Sequence, residues 1–225
     1  MRVQKAFAPW KPARCAHHRD GGIRAACRDA GVRLWRYLSI VDDCRRVFDW
    51  IERQSEPHEL IDGVPVSIMA GARQSHNVAT TNIVVALVLS AKTKGCRATS
   101  SDTAVRTGQY GVRYPDVVVD CGPPDPSAKE AARPTVVVEV SSPGTLAIDL
   151  TDRIDEYQAH EDIQVIMLVE PDVISVKVYR RDVHGLWTTE KYDDVEQSVD
   201  LPEVNSSIRL RDVYDTLEPK SRPPR

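Results

Sequence analysis

Residues 113–122 read RYPDVVVDCG, and residues 135–142 read TVVVEVSS. Runs of β-branched residues favour strands, and strands this uniformly apolar are buried on both faces. Each run nevertheless carries an acid: Asp116 stands between Pro115 and three valines, and Glu139 interrupts the second run. An ionised carboxylate in such a place is costly unless it is paired, hydrogen-bonded or bound to a metal. Side chains alternate along a strand, so Asp116 shares a face with Val118, while Thr135, Val137, Glu139 and Ser141 share one face of the other run. If the two strands are neighbours, the acids converge. The pattern leaves two readings open. The acids are strand-end residues that reach solvent or pair with Arg113 or Arg133, or they form a divalent-cation site, since Mg²⁺ takes a few carboxylates plus water and phosphate oxygens.

Working outward, DDCRRVFDWIERQ spaces Cys44, Val47, Phe48 and Ile51 as one helical face after Asp42 or Asp43 as a cap. HELIDGVPVSIMAG holds Asp62-Gly63, a hairpin signal between two apolar runs. Residues 75–92 lack Pro and Gly, with Ser75 as a cap and Gly95 past the end, and predict a largely buried helix. Strands follow: RATSSDTAVRT, PDVVVDC, TVVVEVSS, IQVIMLVE, VISVKVYRR and LWTTEKYDD. LTDRIDEYQAH, with Leu150, Ile154 and Tyr157 on one stripe, is a helix among them. The expected fold is α+β (mixed α/β), a central sheet flanked by helices. CGPPDPSAKEAARP reads as an exposed connection and LEPKSRPPR as a disordered end.

The 225 residues suit one domain, and the reading divides them into an arginine-rich extension (1–41), a folded domain (42–215) and a tail (216–225). A net charge of −3 announces no global basic field. Five scattered cysteines without a CxxC pair suggest reduced, cytosolic thiols. CAHHRDGGIRAAC, from Cys15 to Cys27, lacks zinc-ligand spacing. The extension reads as a transit peptide, a nucleic-acid-binding arm or a solvated segment, and the missing serines and missing amphipathic period favour the last. No apolar run reaches the length of a membrane span, and a cytoplasmic protein is expected.

Pro115-Asp116, EVSSPGT from Glu139 to Thr145, Asp149, the helix through Tyr157 and the strand IQVIMLVEPD together resemble the Uma-type (Uma-two) family, grouped with restriction endonucleases in the PD-(D/E)xK nuclease superfamily. HELIDG around Glu59, MAG with His76, and VKVYRR around Tyr179 extend the resemblance over residues 42–215. It implies a restriction-endonuclease-like central β-sheet and Mg²⁺-dependent hydrolysis of DNA phosphodiester bonds, with Mn²⁺ as a substitute ion. Asp116 and Glu139 match the metal ligands, and Glu59 matches a glutamate that assists through water or as a further ligand. His76 matches a histidine at the start of the long helix, where capping or packing is an equal reading.

The chain departs from the superfamily pattern where a lysine is expected two residues after the second acid: Ser141 stands there. Uma-type members carry the lysine on the following helix, where this chain has Arg153. Arginine keeps its charge and donates hydrogen bonds to phosphate but cannot act as a base. Arg153 also has a plainer reading, an intrahelical pair with Asp149 or Glu156. Ser141 or Ser142 as a nucleophile would need a histidine at triad spacing, and only His76 is near. Asp149 reads as a helix cap or orienting group, and Asp102 as a surface residue or a partner of the metal ligands. A catalytically inactive nuclease-fold binding or assembly module is the alternative function. A homodimer is expected, because two-fold symmetry suits the cutting of both DNA strands.

Overall fold

The computed structural model describes residues 44–68, 72–141 and 147–221, with side chains for 47–68, 72–141 and 150–221. The expectations for the arginine-rich extension, the Cys15–Cys27 segment, Ser142, Thr145 and the Asp149 side chain lie outside these residues. Four α-helices are described: α1 (Cys44–Ile51), α2 (Gln74–Thr93), α3 (Ala147–Ala159) and the one-turn α4 (Leu210–Val213). No helix among the described residues is long and apolar enough to cross a membrane.

The two valine runs lie at the heart of a six-stranded sheet. β6 (Val117–Asp120) and β7 (Pro134–Val140) pair antiparallel, with β3 (Arg97–Ser100) outside β6. β8 (Val165–Glu170), β9 (Ser175–Arg181) and β10 (Trp187–Tyr192) continue the sheet on the other side of β7. The β7–β8 pair is the parallel one, and α3 is its crossover. Every residue of β6 and β7 is buried, as the valine pattern implies. One face, with Val117, Val119, Val136 and Val138, packs on Ala79, Ile83, Leu87 and Ala91 of α2. The opposite face, with Val118 and Val137, packs on Ile154 and Tyr157 of α3. The sheet is thus sandwiched between helices, as the sequence pattern predicts, and is the restriction-endonuclease-like fold that the family resemblance implies.

A second sheet carries the hairpin β1 (His58–Ile61) and β2 (Val64–Ser67), with β1 at its inner side. Its turn residues Asp62 and Gly63 hold φ of +49° and +78°, the left-handed pair that a two-residue hairpin needs. RATSSDTAVRT is not one strand. It breaks at Ser101, φ +34°, into β3 and β4 (Val105–Gly108), which join different sheets. The short β5 (Gly111–Arg113) pairs with both β1 and β4.

Four further expectations are corrected. Ser75 does not cap α2: the N-cap is Arg73, without a side-chain cap bond. α2 is not largely buried, because Val85 and Leu89 face outward at 68% and 77% exposure. The tail is held at Lys220, whose backbone bonds to Asp172 and Ile174. Cys96 and Cys121 form a disulfide, where reduced thiols were expected. The pairing of Arg97 with Asp120 sets Cys96 opposite Cys121, a register that no cysteine spacing reveals. A small hairpin, β11 (Ser198–Leu201) with β12 (Ser206–Arg209), leads into α4 and covers the α2 side of the core.

Candidate active site

Strand register brings the acids together. Val118 faces Val137 and Val117 faces Val138, so the next step of the ladder sets Asp116 against Glu139. Asp116 Oδ2 accepts the Val140 N–H at 2.7 Å, and His76 Nε2 lies 3.2 Å from Oδ1. Glu139 Oε1 accepts from Tyr157 Oη at 2.7 Å and from Arg153 Nη1 at 3.2 Å. The i, i+4 spacing of Arg153 and Tyr157 presents both to the same carboxylate.

Arg153 reaches further than an intrahelical pair. It spans to the second sheet, with Nη1 and Nη2 each 3.1 Å from the oxygens of Glu59. Glu156 is engaged elsewhere, by Arg113 Nη2 at 2.5 Å and by Thr107 Oγ1 at 2.8 Å. Arg113 is fully buried and also donates to Glu59 Oε2 at 3.0 Å, while Glu59 Oε1 takes the Tyr114 N–H. Glu59, Arg153 and Glu139 thus form a chain of charge between the sheets, braced by Arg113 and Glu156.

The same strand supplies a contrast. Asp120, at the far end of β6, accepts the N–H groups of Gly122 and Arg133 and a bond from Arg97. Burial pushes its carboxyl up, yet those bonds hold it below the ordinary range, as for a structural acid. Glu139 goes the other way: burial, with repulsion from Asp116, lifts it to about 7 against the relief from Arg153 and Tyr157. His76 is raised, chiefly by its bond to Asp116. Burial drives the Tyr157 hydroxyl well above its usual range, so it stays a donor.

A raised carboxyl carries a definite sign. Below about 4.5, its ordinary value, Glu139 is neutral in both folded and unfolded chains and costs nothing; above about 7 it is charged in both and the folded state bears the burial cost. In metal-free buffer its contribution to stability is expected to fall by roughly 3 kcal/mol across that window. Glu139→Gln should flatten this part of a melting-temperature profile measured against pH. An unchanged slope in the variant would show that the cost lies elsewhere.

Whether these residues suit a cation is a question of their chemistry. Among the described residues no group of three or more His, Cys, Asp and Glu side chains has the geometry to hold a metal. A pair of converging acids, one of them raised by burial and by the other's charge, nevertheless fits a divalent ion that completes its shell with water and substrate. Asp116 and Glu139 are the residues that would hold it. Ser141, where a lysine was expected, donates its hydroxyl to Glu170. Asp102 is exposed and forms no part of the acid cluster. Sequence reasoning did not single out Arg113 and Glu156 as a brace for Glu59. Arg113 had a signal, an arginine three residues before Asp116, but its partners were not legible.

Comparison with known proteins bears on the fold and the family. A solved structure described as "a putative nuclease belonging to DUF820", from Anabaena variabilis, superposes with a TM-score of 0.62 at 20% identity, over 78% of this chain and 97% of that one. That likeness shows the fold. A protein of Synechocystis described as uncharacterized, slr1290, is 27% identical over 170 residues, covering 75% of this chain and 88% of the relative. The model of the Uma2 family, described as "Putative restriction endonuclease", matches residues 45–211, most of the chain; the protein belongs to that family.

Proposed function

We propose that the protein is a Mg²⁺-dependent endonuclease that hydrolyses DNA phosphodiester bonds, with Asp116 and Glu139 as its metal ligands and Arg153 at the substrate phosphate. The observation that carries this reading is the meeting of Asp116 and Glu139 on one sheet face with Arg153 3.2 Å from Glu139. Asp116 and Glu139 would hold Mg²⁺, which would supply Lewis acidity to the phosphoryl group and make water a better nucleophile. Tyr157 and the Val140 N–H fix the two carboxylates in place. Arg153 brings a permanent charge for the developing phosphate charge. Glu59, itself gripped by Arg113, holds the Arg153 fork in orientation. Mn²⁺ is expected to substitute, and a homodimer would present two such sites to the two strands.

Plasmid nicking with and without Mg²⁺ tests the assignment directly. Arg153→Lys is expected to raise the rate by about tenfold or more, because lysine can position or deprotonate the attacking water. A rate that stays the same or falls would show that Arg153 does not stand in for the lysine.

One observation favours a second reading, a nuclease-fold binding module. Arg153 is already committed to Glu59 through two hydrogen bonds, and its side chain is only 13% exposed. That reading expects no nicking and no heat of Mn²⁺ binding dependent on both acids.

A further inference from the structure

Beside the acid pair lies a cavity of about 370 Å³ between the N-terminal turns of α2 and the end of β3, inside the roughly 300–1,000 Å³ span of small-ligand sites. His76 links it to the acids, since the side chain lines the cavity and also meets Asp116. The wall is chemically divided. Thr80, Ser100 and Ser101 bring hydroxyls, Val84 and Val85 bring methyl groups, His76 brings an imidazole, and no arginine, lysine, phenylalanine, tyrosine or tryptophan is among the described lining residues.

Two polar atoms of this wall are left over. Thr80 Oγ1 and His76 Nδ1 are buried without a hydrogen-bond partner among the described residues, and Thr80 as a whole is 7% exposed. An unmatched buried hydroxyl costs stability that a ligand would recover. Ser101 adds backbone strain, with its left-handed φ of +34°, and its N–H donates to the Asp116 carbonyl at 3.1 Å. Strain of this kind collects at ligand sites.

We propose that the cavity receives one unpaired deoxynucleoside of the DNA strand, beside the phosphate that lies at Asp116 and Glu139; this rests on the nuclease reading above. Phosphate itself is a poor occupant where no arginine or lysine lines the wall, and the His76 imidazole offers an aromatic face to a base. A neutral group with a hydrogen-bonding edge and an apolar face fits, and a nucleobase turned out of the duplex is held in that manner. Turning out costs least where a base is mismatched or already single-stranded, so cutting should favour such sites over fully paired duplex.

The test uses the full chain in metal-free buffer. Deoxyadenosine and thymidine are titrated with NMR detection, and an oligonucleotide carrying a fluorescent aminopurine base, single-stranded or opposite a mismatch, reports unstacking. Saturable shifts on α2 and β3 and a fluorescence rise are expected. Val85→Trp, which fills the cavity from an exposed position, should weaken both by about tenfold or more. Thr80→Val, which keeps the shape and removes the hydroxyl, should weaken both by about threefold to tenfold. Nucleosides that cause no shift, shifts that Val85→Trp leaves intact, or nucleoside binding without a response from the base in DNA each overturn the proposal. Neither binding arm requires cleavage. A chain that passes both and does not nick DNA keeps this cavity assignment and loses the nuclease; one that nicks without nucleoside binding does the reverse.

Discussion

Alanine at Asp116 or at Glu139 is expected to lower Mg²⁺-dependent nicking of plasmid DNA by at least about a hundredfold to a thousandfold, the loss that follows when several kcal/mol of transition-state stabilisation disappears. Either acid should suffice, because both face the same point from adjacent strands and neither has a neighbouring carboxylate free to replace it. Glu59 is tied to Arg113 and Arg153, and Glu156 to Arg113 and Thr107. Loss of activity must be separated from loss of fold, since Asp116 also accepts the Val140 N–H. Asp116→Asn keeps an acceptor there and removes only the charge. Glu139→Gln gives the sharper separation. It should stabilise the metal-free protein above pH 7, by removing a buried charge whose carboxyl is lifted to about 7, and still abolish nicking. Stability and activity moving in opposite directions is an outcome that a purely structural glutamate would not produce. Nicking at the wild-type rate in either alanine variant would sink the assignment.

How far this site could be foreseen depends on the range of the interactions involved. Period-two alternation in RYPDVVVDCG and TVVVEVSS put Asp116 and Glu139 within reach of each other once the two strands are neighbours, and local turn chemistry marked Asp62-Gly63 and the C-terminal end of α2 at Gly95. The three-residue β5 left no pattern long enough to read. Ser101 divides a stretch that looked like one strand, because a serine with positive φ carries no local signal. The Cys96–Cys121 bond depends on the register of β3 against β6, which sequence spacing does not contain. Glu59 and Arg113 lie 54 residues apart, and Arg153 reaches Glu59 across 94. Such pairings are decided by how the two sheets meet. Arg153 was therefore legible as a cation near Glu139 but not as the bond between sheets.

That bracing gives the second large effect: Arg113→Met is expected to destabilise the protein by about 3–5 kcal/mol, the usual cost of removing one partner from a buried ion pair. For a chain of this size the loss corresponds to a fall in melting temperature on the order of 10 °C. Arg113 is fully buried and donates to two carboxylates at once, Glu59 and Glu156. Without it Glu59, only 4% exposed, keeps Arg153 and the Tyr114 N–H but loses half of its compensating charge. Arg113→Lys should recover little, because one ammonium cannot span both partners as a planar fork does. If the cost arises from stranded carboxylates, adding Glu59→Gln and Glu156→Gln to Arg113→Met should restore part of the lost stability. A cost that arises from lost packing would instead leave the triple variant as unstable as the single one. A single variant that melts within about 2 °C of the wild type would mean that the buried guanidinium does not brace the site. The consequence for function follows from Arg153, whose orientation depends on Glu59: Arg113→Met should also alter nicking below its melting range, where the fold is intact.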